Sequence, residues 1–296
     1  MTRVERSSAA TGAAPMLSVL IAFMAVWYVA AVALNWQTTS DWLAREDPAH
    51  GTAALVAATL SAERPILPAP HQIVAEMANT IFGVRPSSPR SLLFHAGVTL
   101  SSTLLGFVLG TLLGIALALG ILNSRTLDKS LMPWIIASQT IPILAIAPML
   151  IVVLNSIGVT GLVPKALIST YLSFFPVTVG MVKGLRSPDR MHLDLMRTYA
   201  ASTTQLLFKL RLPASLPFLF ASMKVAVAAA LVGAIVGELP TGARAGLGAR
   251  LLAGSYYGQT IQIWSALVMA ALMAGLLVAA ISFAERVALA RTGQVR

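Results

Sequence analysis

Very few side chains in this chain could make or break a bond. Its four histidines are His50, His71, His95 and His192, and none stands four residues from another with a glutamate between them, the spacing that places two ligands and a general base on one helix face. Cysteine is absent, which removes disulfides, thiolate metal sites and cysteine nucleophiles. Neither a Gly-x-Ser-x-Gly elbow nor a Walker phosphate loop occurs. Gly246-Leu247-Gly248 lacks the third glycine and the preceding strand of a dinucleotide fingerprint, and reads as a turn. What remains is polar chemistry inside apolar sequence. Lys224 and Glu238 lie within or beside one apolar block, about 21 Å apart along a straight helix and so unable to pair directly. Intramembrane charge is expensive, so each should face a bundle interior or an interface. Two readings stand open: they line a translocation route or its gate, or Lys224 snorkels and Glu238 sits in interfacial water. Gln139, Thr140 and Pro142, and separately Ser173, Phe174 and Phe175, place polar groups beside helix breaks. They could line a cavity for a small solute, or hydrogen-bond their own carbonyls.

The elements that would position these residues are apolar spans. Of 296 residues, 57% are hydrophobic and only 11% charged, with a mean hydropathy of +0.79. Soluble domains carry about 25% charged residues, so the chain is expected to be an integral membrane protein. The net charge of +10 does not argue for nucleic acid, because the basic residues lie in short loops beside apolar runs rather than on one patch. Spans are expected at about 16–36, 92–122, 131–154, 166–182, 214–239 and 263–283, each near the 20 residues a bilayer requires. Residues 1–15 read as a disordered tail, 16–286 as one transmembrane domain and 287–296 as a second tail. The first span has a rival reading as a cleaved signal, with Ala31-Val32-Ala33 as the cleavage site. Residues 37–91 look most soluble; Leu67-Pro68-Ala69-Pro70 should form a kinked lead-in to an amphipathic surface helix. Gly106, Gly110 and Gly114 recur every four residues, a signal for close approach of another helix. Pro142 and Pro148 should bend the third span. Tyr256, Tyr257 and Gln259 lie in a loop at 240–262, either as a docking surface or, more simply, as an interfacial aromatic belt. Lys and Arg number thirteen on the side holding both termini and seven on the other, which orients both termini and the loop at 184–213 to the cytoplasm.

That loop is the most structured polar stretch. Ser187 can cap a helix, Pro188 suits its first position and Asp189 complements its positive end. Met191, Leu195, Met196 and Tyr199 keep helical spacing, leaving one face that requires a partner. The pattern breaks at Ala200–Ala201, and Ser202 with Gln205 reads as a capping box for a second helix carrying Leu206, Leu207 and Leu210. The stretch resembles the coupling loop of binding-protein-dependent ABC importer permeases, whose pattern is Glu-Ala-Ala, three residues, Gly, nine residues, then Ile-x-Leu-Pro. Aligned on Leu212–Pro213, Leu210 takes the Ile position and Ala200 the Gly position, and Asp194, Leu195 and Met196 fall on Glu-Ala-Ala. The run MRTYAAS followed by LRLPASLP is close to the sulfonate, taurine and nitrate branch. Ala200 stands where the family's glycine supplies a left-handed turn, which costs a residue with a Cβ about 1 kcal/mol or more.

The resemblance implies an all-α integral membrane protein of six transmembrane helices, with a cytoplasmic coupling hairpin between the fourth and fifth. It implies that Asp194, Arg197, Thr198, Ala200, Ala201, Ser202, Leu212 and Pro213 form the coupling element to a cytoplasmic ABC ATPase dimer. A second permease copy or paralogue and an extracytoplasmic solute-binding protein would complete the assembly in a bacterial inner membrane. No cofactor is expected on this chain, and no catalytic or metal site, since ATP belongs to the partner subunit. The cargo would be a small polar organic or oxyanionic solute, such as a sulfonate, nitrate or pyrimidine-type precursor, passing Gln139, Thr140, Phe174, Phe175, Lys224 and Glu238. A secondary transporter driven by an ion gradient is the rival; it would usually show more buried carboxylates or inverted repeats.

Overall fold

The computed structural model describes residues 5–46, 51–240, 243 and 245–291. In chain order its helices are α1 (Glu5–Glu46), α2 (Thr52–Ser61), α3 (Pro70–Phe82), α4 (Leu92–Asn123), α5 (Arg125–Ala137), α6 (Ile143–Ser156), α7 (Leu162–Leu185), α8 (Arg190–Thr198), α9 (Thr203–Leu206), α10 (Leu212–Glu238), α11 (Leu247–Tyr256) and α12 (Thr260–Arg291). Among the described residues, five helical stretches are long and apolar enough to cross a membrane, or six if the bent pair α5 and α6 is one span. The expected spans 92–122, 166–182 and 263–283 each fall within a single helix, α4, α7 and α12, while α1 runs well beyond 16–36 at both ends. Of the two expected tails, residues 1–4 and 292–296 lie outside the described residues. The soluble-looking stretch 37–91 resolves into the end of α1 and two helices, α2 and α3, and the loop at 240–262 contains α11.

The chain divides into two compact units, Met1–Ser91 with Leu251–Leu267, and Leu92–Arg250 with Val268–Arg296. In the second unit α7 packs along α4 on one side and α10 on the other, and small residues set the spacing. A Cβ on Gly106, Gly110 or Gly114 of α4 would fall 2.2 Å from Ser169 Cβ, 2.0 Å from Ser173 Oγ and 2.8 Å from Val177 Cβ of α7. The four-residue glycine repeat therefore faces a four-residue repeat of short side chains. At this separation Thr170 and Ser173 hydroxyls donate to the Gly106 carbonyl across the interface, both at 3.2 Å. Across the other face of α7, Gly180 and Gly184 receive Ser222 and Ser215 of α10. Without a hydrophobic force between helices in lipid, such packing and hydrogen bonding hold the bundle.

The third span is not one bent helix. α5 and α6 diverge by 97°, joined by a 3₁₀ turn, Ser138–Thr140. Ile141 is extended, at φ −80° and ψ 121°, as a residue before proline prefers, and Pro142 is the N-cap that precedes α6 instead of continuing α5. The Tyr171 hydroxyl donates to the Ser138 carbonyl, taking up a backbone acceptor that the break frees. Pro148, by contrast, sits inside α6 without interrupting it. A second difference lies ahead of the fifth span, which the expected boundary places at 214. Helix instead runs from Thr203 to Glu238 without a stop. A proline ring clashes with the carbonyl four residues back. Here a π-helical turn, Leu207–Arg211, precedes Pro213, and the Leu212 N–H bonds to Leu207 five residues back. The wider turn accommodates the proline without breaking the helix.

In the first unit, buried Asn35 on α1 organises the proline-rich lead-in. Its Nδ2 donates to Leu67 O at 2.8 Å, and its Oδ1 accepts from the N–H groups of Ile66 and Leu67. Trp27 Nε1 donates to Pro68 O at 3.1 Å, while its ring meets Trp264. His71 stacks on Tyr28. Gln72 accepts from the Ala69 N–H, securing the first turn of α3. Residues 67–70 are thus a tie to α1 as well as a lead-in.

Candidate functional site

The first helix of the polar hairpin begins two residues later than the sequence suggests. Asp189, in extended conformation, is the residue before α8, and no side chain caps it. Ser187 instead donates to Gly184 O at 2.7 Å, at the end of α7. Along α8 the apolar ridge is uncovered: Met191, Leu195 and Tyr199 are 79%, 53% and 78% exposed. Beside it Arg197 pairs with Asp194 at 3.0 Å, and Thr198 Oγ1 donates to the Asp194 carbonyl. An exposed pair three residues apart contributes little stability; its effect is to hold two opposite charges in fixed places next to the ridge.

The turn after α8 is a Schellman motif, with the Ala200 N–H bonded to Arg197 O and the Ala201 N–H to Met196 O. Ala200 takes φ +51°, the one positive φ at a non-glycine among the described residues. Ser202 and Gln205 then form a reciprocal capping box, with bonds of 3.3 and 2.9 Å. The structure thus brings Asp194, Arg197, Thr198, Ala200, Ala201 and Ser202 into one helix and turn. Leu212 and Pro213 stand apart from them at the start of α10, where Leu212 packs against the cluster of Ala118, Ile121, Met181 and Leu185. An ion pair of 2.9 Å between Arg186 and Asp128 ties the base of the hairpin to α5. Because the left-handed conformation disfavours a Cβ, Ala200→Gly should stabilise the turn by about 0.5–1 kcal/mol, net of glycine's greater freedom when unfolded. Hydrogen exchange at the Ala200 and Ala201 amides should slow a few-fold as a result.

At the other end of α10 lies a site that sequence reasoning largely missed. Glu238 is completely buried, not in interfacial water. Thr99 Oγ1 of α4 stands 2.9–3.0 Å from both carboxylate oxygens, the Gly248 N–H donates at 2.9 Å, and Lys165 Nζ is 3.8 Å away. The same Thr99 hydroxyl accepts from the Leu247 N–H at 2.8 Å. His95 Nδ1 lies 3.1 Å from both the N–H and the carbonyl oxygen of Gly246, the tautomer deciding which bond forms. Lys165 Nζ donates to Ala245 O at 3.2 Å. Gly246-Leu247-Gly248 is therefore more than a turn. A Cβ on Gly246, whose φ is +125°, would lie 2.1 Å from the Glu238 carboxyl carbon, and one on Gly248 would lie 2.3 Å from Ile235 O. The paired glycines eight and ten residues beyond an acid in an apolar block were the available signal. Thr99 and Lys165 offered none.

The remaining candidates scatter. Lys224 pairs with Glu285 of α12 at 2.5 Å, both partly buried, and so is neither alone nor near Glu238. Thr140 Oγ1 donates to Ala137 O, and the exposed Gln139 reaches only Ser138. Ser173 serves the α4–α7 contact. Phe174 and Phe175 pack partly buried against the Ala118–Ile121–Met181 cluster. Tyr256 and Tyr257 are largely exposed. His50 lies outside the described residues, and His192 is part of α8.

Comparison with known proteins adds a family and a fold. A family model described as a binding-protein-dependent transport system inner membrane component matches residues 110–292. A probable ABC transporter permease protein of Haemophilus influenzae is 37% identical over 175 residues, covering 59% of this chain and 69% of that one. The formylaminopyrimidine transport permease protein ThiX of Halalkalibacterium halodurans is 34% identical, covering 62% of this chain and 68% of that one. A chain of the inward-facing MetNI methionine ABC transporter shares the fold at a TM-score of 0.54 and 20% identity, covering 67% of this chain and 94% of the other.

Proposed function

The chain belongs to the family of binding-protein-dependent transport system inner membrane components, and from that premise we propose how this ABC importer permease works. Its hairpin docks into a cytoplasmic ABC ATPase, two such permeases enclose the route, and an extracytoplasmic binding protein delivers the solute. Both termini and the hairpin face the cytoplasm. The chain itself carries out no chemistry and binds no cofactor; ATP is hydrolysed by the partner. Closure of the ATPases shifts the bundle population from inward-open to outward-open through α8. The solute is a small polar organic or oxyanionic molecule, a class supported by similarity to a formylaminopyrimidine permease and by the sulfonate-type run around the hairpin.

The observation that carries this reading is the uncovered ridge of Met191, Leu195 and Tyr199 beside the fixed Asp194–Arg197 pair. It is a short rigid helix with apolar anchors and registered charges, which is what insertion into a groove requires. It also leads through a single turn into the helix that runs unbroken to Glu238. Co-purification of the solubilised chain with co-expressed ATPase subunits tests it. The double reversal Asp194→Lys with Arg197→Glu keeps the internal pair but inverts what a partner meets. It should reduce the bound ATPase about tenfold or more, as losing desolvated interfacial charge pairs does, at unchanged thermal stability. If no ATPase is retained by the wild-type chain, the hairpin only orients the protein, and the reading fails.

A further inference from the structure

We propose that the cavity beside Glu238, at the end of α10 remote from the hairpin, is a binding site for an oxyanion, with Lys165 as its charged anchor. The cavity has a volume of about 590 Å³ and lies wholly within the second unit, between the α6–α7 turn and the end of α10. That volume is in the range of small-molecule sites. Ile151, Pro164 and Pro240 give it apolar walls, and Asn155, Thr160 and Lys165 give it polar groups.

Close packing brings Lys165 to this position. Gly237 of α10 is so near α7 that a Cβ there would touch Lys165 Cα at 3.2 Å. The Lys165 side chain is only 13% exposed, yet its ammonium has three N–H donors and one bonded acceptor among the described residues, Ala245 O. Glu238 cannot serve the others well. At 3.8 Å it lies beyond hydrogen-bond distance, and its oxygens are already engaged by Thr99 and Gly248. Two ammonium donors are therefore left for the cavity, which the exposed Asn155 and Thr160 side chains also line. No carboxylate among the described residues lines the space. A sparsely solvated ammonium with spare donors, flanked by two neutral polar groups and apolar walls, suits a compact group bearing several oxygens and a negative charge, such as a sulfonate, carboxylate or phosphate. Calling this site the outer vestibule where solute first meets the permease rests on the importer reading. The binding site itself does not.

The test uses the full chain in nanodiscs, with and without its ATPase, and methanesulfonate as probe against its neutral counterpart dimethyl sulfone, with binding read by saturation-transfer NMR. Methanesulfonate should bind and dimethyl sulfone should not at the same concentration. Lys165→Gln should weaken binding about tenfold or more, the scale of one charge-assisted contact, and Lys165→Arg should retain most of it. Equal binding of the two probes, or unchanged binding in Lys165→Gln, overturns the proposal. Should Lys165→Gln fail to fold, the double change Asn155→Leu with Thr160→Val leaves every Glu238 contact in place. It should weaken methanesulfonate about fivefold; no change overturns the site. An ATPase that associates while methanesulfonate does not bind removes the site and spares the importer reading. Methanesulfonate binding without ATPase association does the reverse.

Discussion

Gly246→Ala should destabilise the protein by about 3–5 kcal/mol, the range for a strained backbone combined with a disrupted buried charge. The reason is crowding from several directions at once. The new methyl group would occupy the space of the Glu238 carboxyl group, 2.1 Å from its carbon, at a φ of +125° that residues with a Cβ avoid. Retreat of the loop would sacrifice the Gly246 contact to His95, the Leu247 bond to Thr99 and the Lys165 bond to Ala245. Retreat of Glu238 would leave a buried carboxylate short of its donors. Gly258→Ala is the matched control. Gly258 also has positive φ, +65°, but nothing lies within 4 Å of its would-be Cβ, so only the backbone penalty of about 1 kcal/mol applies. Thermal unfolding in detergent, followed by loss of the monodisperse peak, should separate the two by several degrees or more. Equal melting would show that the Glu238 cluster bears no stability.

Gly106→Val should separate α4 from α7 and lower stability by about 3 kcal/mol, the upper part of the range for overpacking. Its Cβ would lie 2.2 Å from Ser169 Cβ and 2.7 Å from the Ala166 carbonyl oxygen, so the helices must part. Parting them also breaks the bonds that Thr170 and Ser173 donate to the Gly106 carbonyl. Gly97→Val, nine residues earlier on the same helix, meets nothing within 4 Å and should be nearly neutral. Yield and melting temperature of the two variants, compared side by side, read the difference. If Gly97→Val is the more damaging, helix propensity and not close approach governs α4.

Both predictions rest on glycines, yet only one of these was understandable from sequence. Gly106, Gly110 and Gly114 declare themselves by period alone, because a helix places every fourth residue on one stripe whatever its partner. The capping box at Ser202 and the strained Ala200 were likewise visible, since both are local: spacing within a few residues decides them. Glu238 was not. Its partners come from α4, the start of α7 and the first turn of α11, up to 139 residues away along the chain, and no short-range pattern encodes such a meeting. Lys224 and Glu285, 61 residues apart, were hidden for the same reason. Pro142 announced an interruption but not its extent, because the angle depends on Ile141 becoming extended and on Tyr171 collecting the Ser138 carbonyl. Ser187 does not cap α8 because the helix starts only after Asp189, and its hydroxyl instead donates back to Gly184 O.

The unbroken helix from Thr203 to Glu238 has a mechanical consequence. Its 36 residues make a rod about 54 Å long. Pivoted at its midpoint, such a lever converts a rotation of about 5° into a throw of roughly 2.4 Å at each tip. The 3.8 Å between Lys165 and Glu238 is small enough for a throw of that size to matter. A small rotation of this rod therefore displaces its Glu238 end by a distance comparable with the contact that Glu238 makes to Lys165.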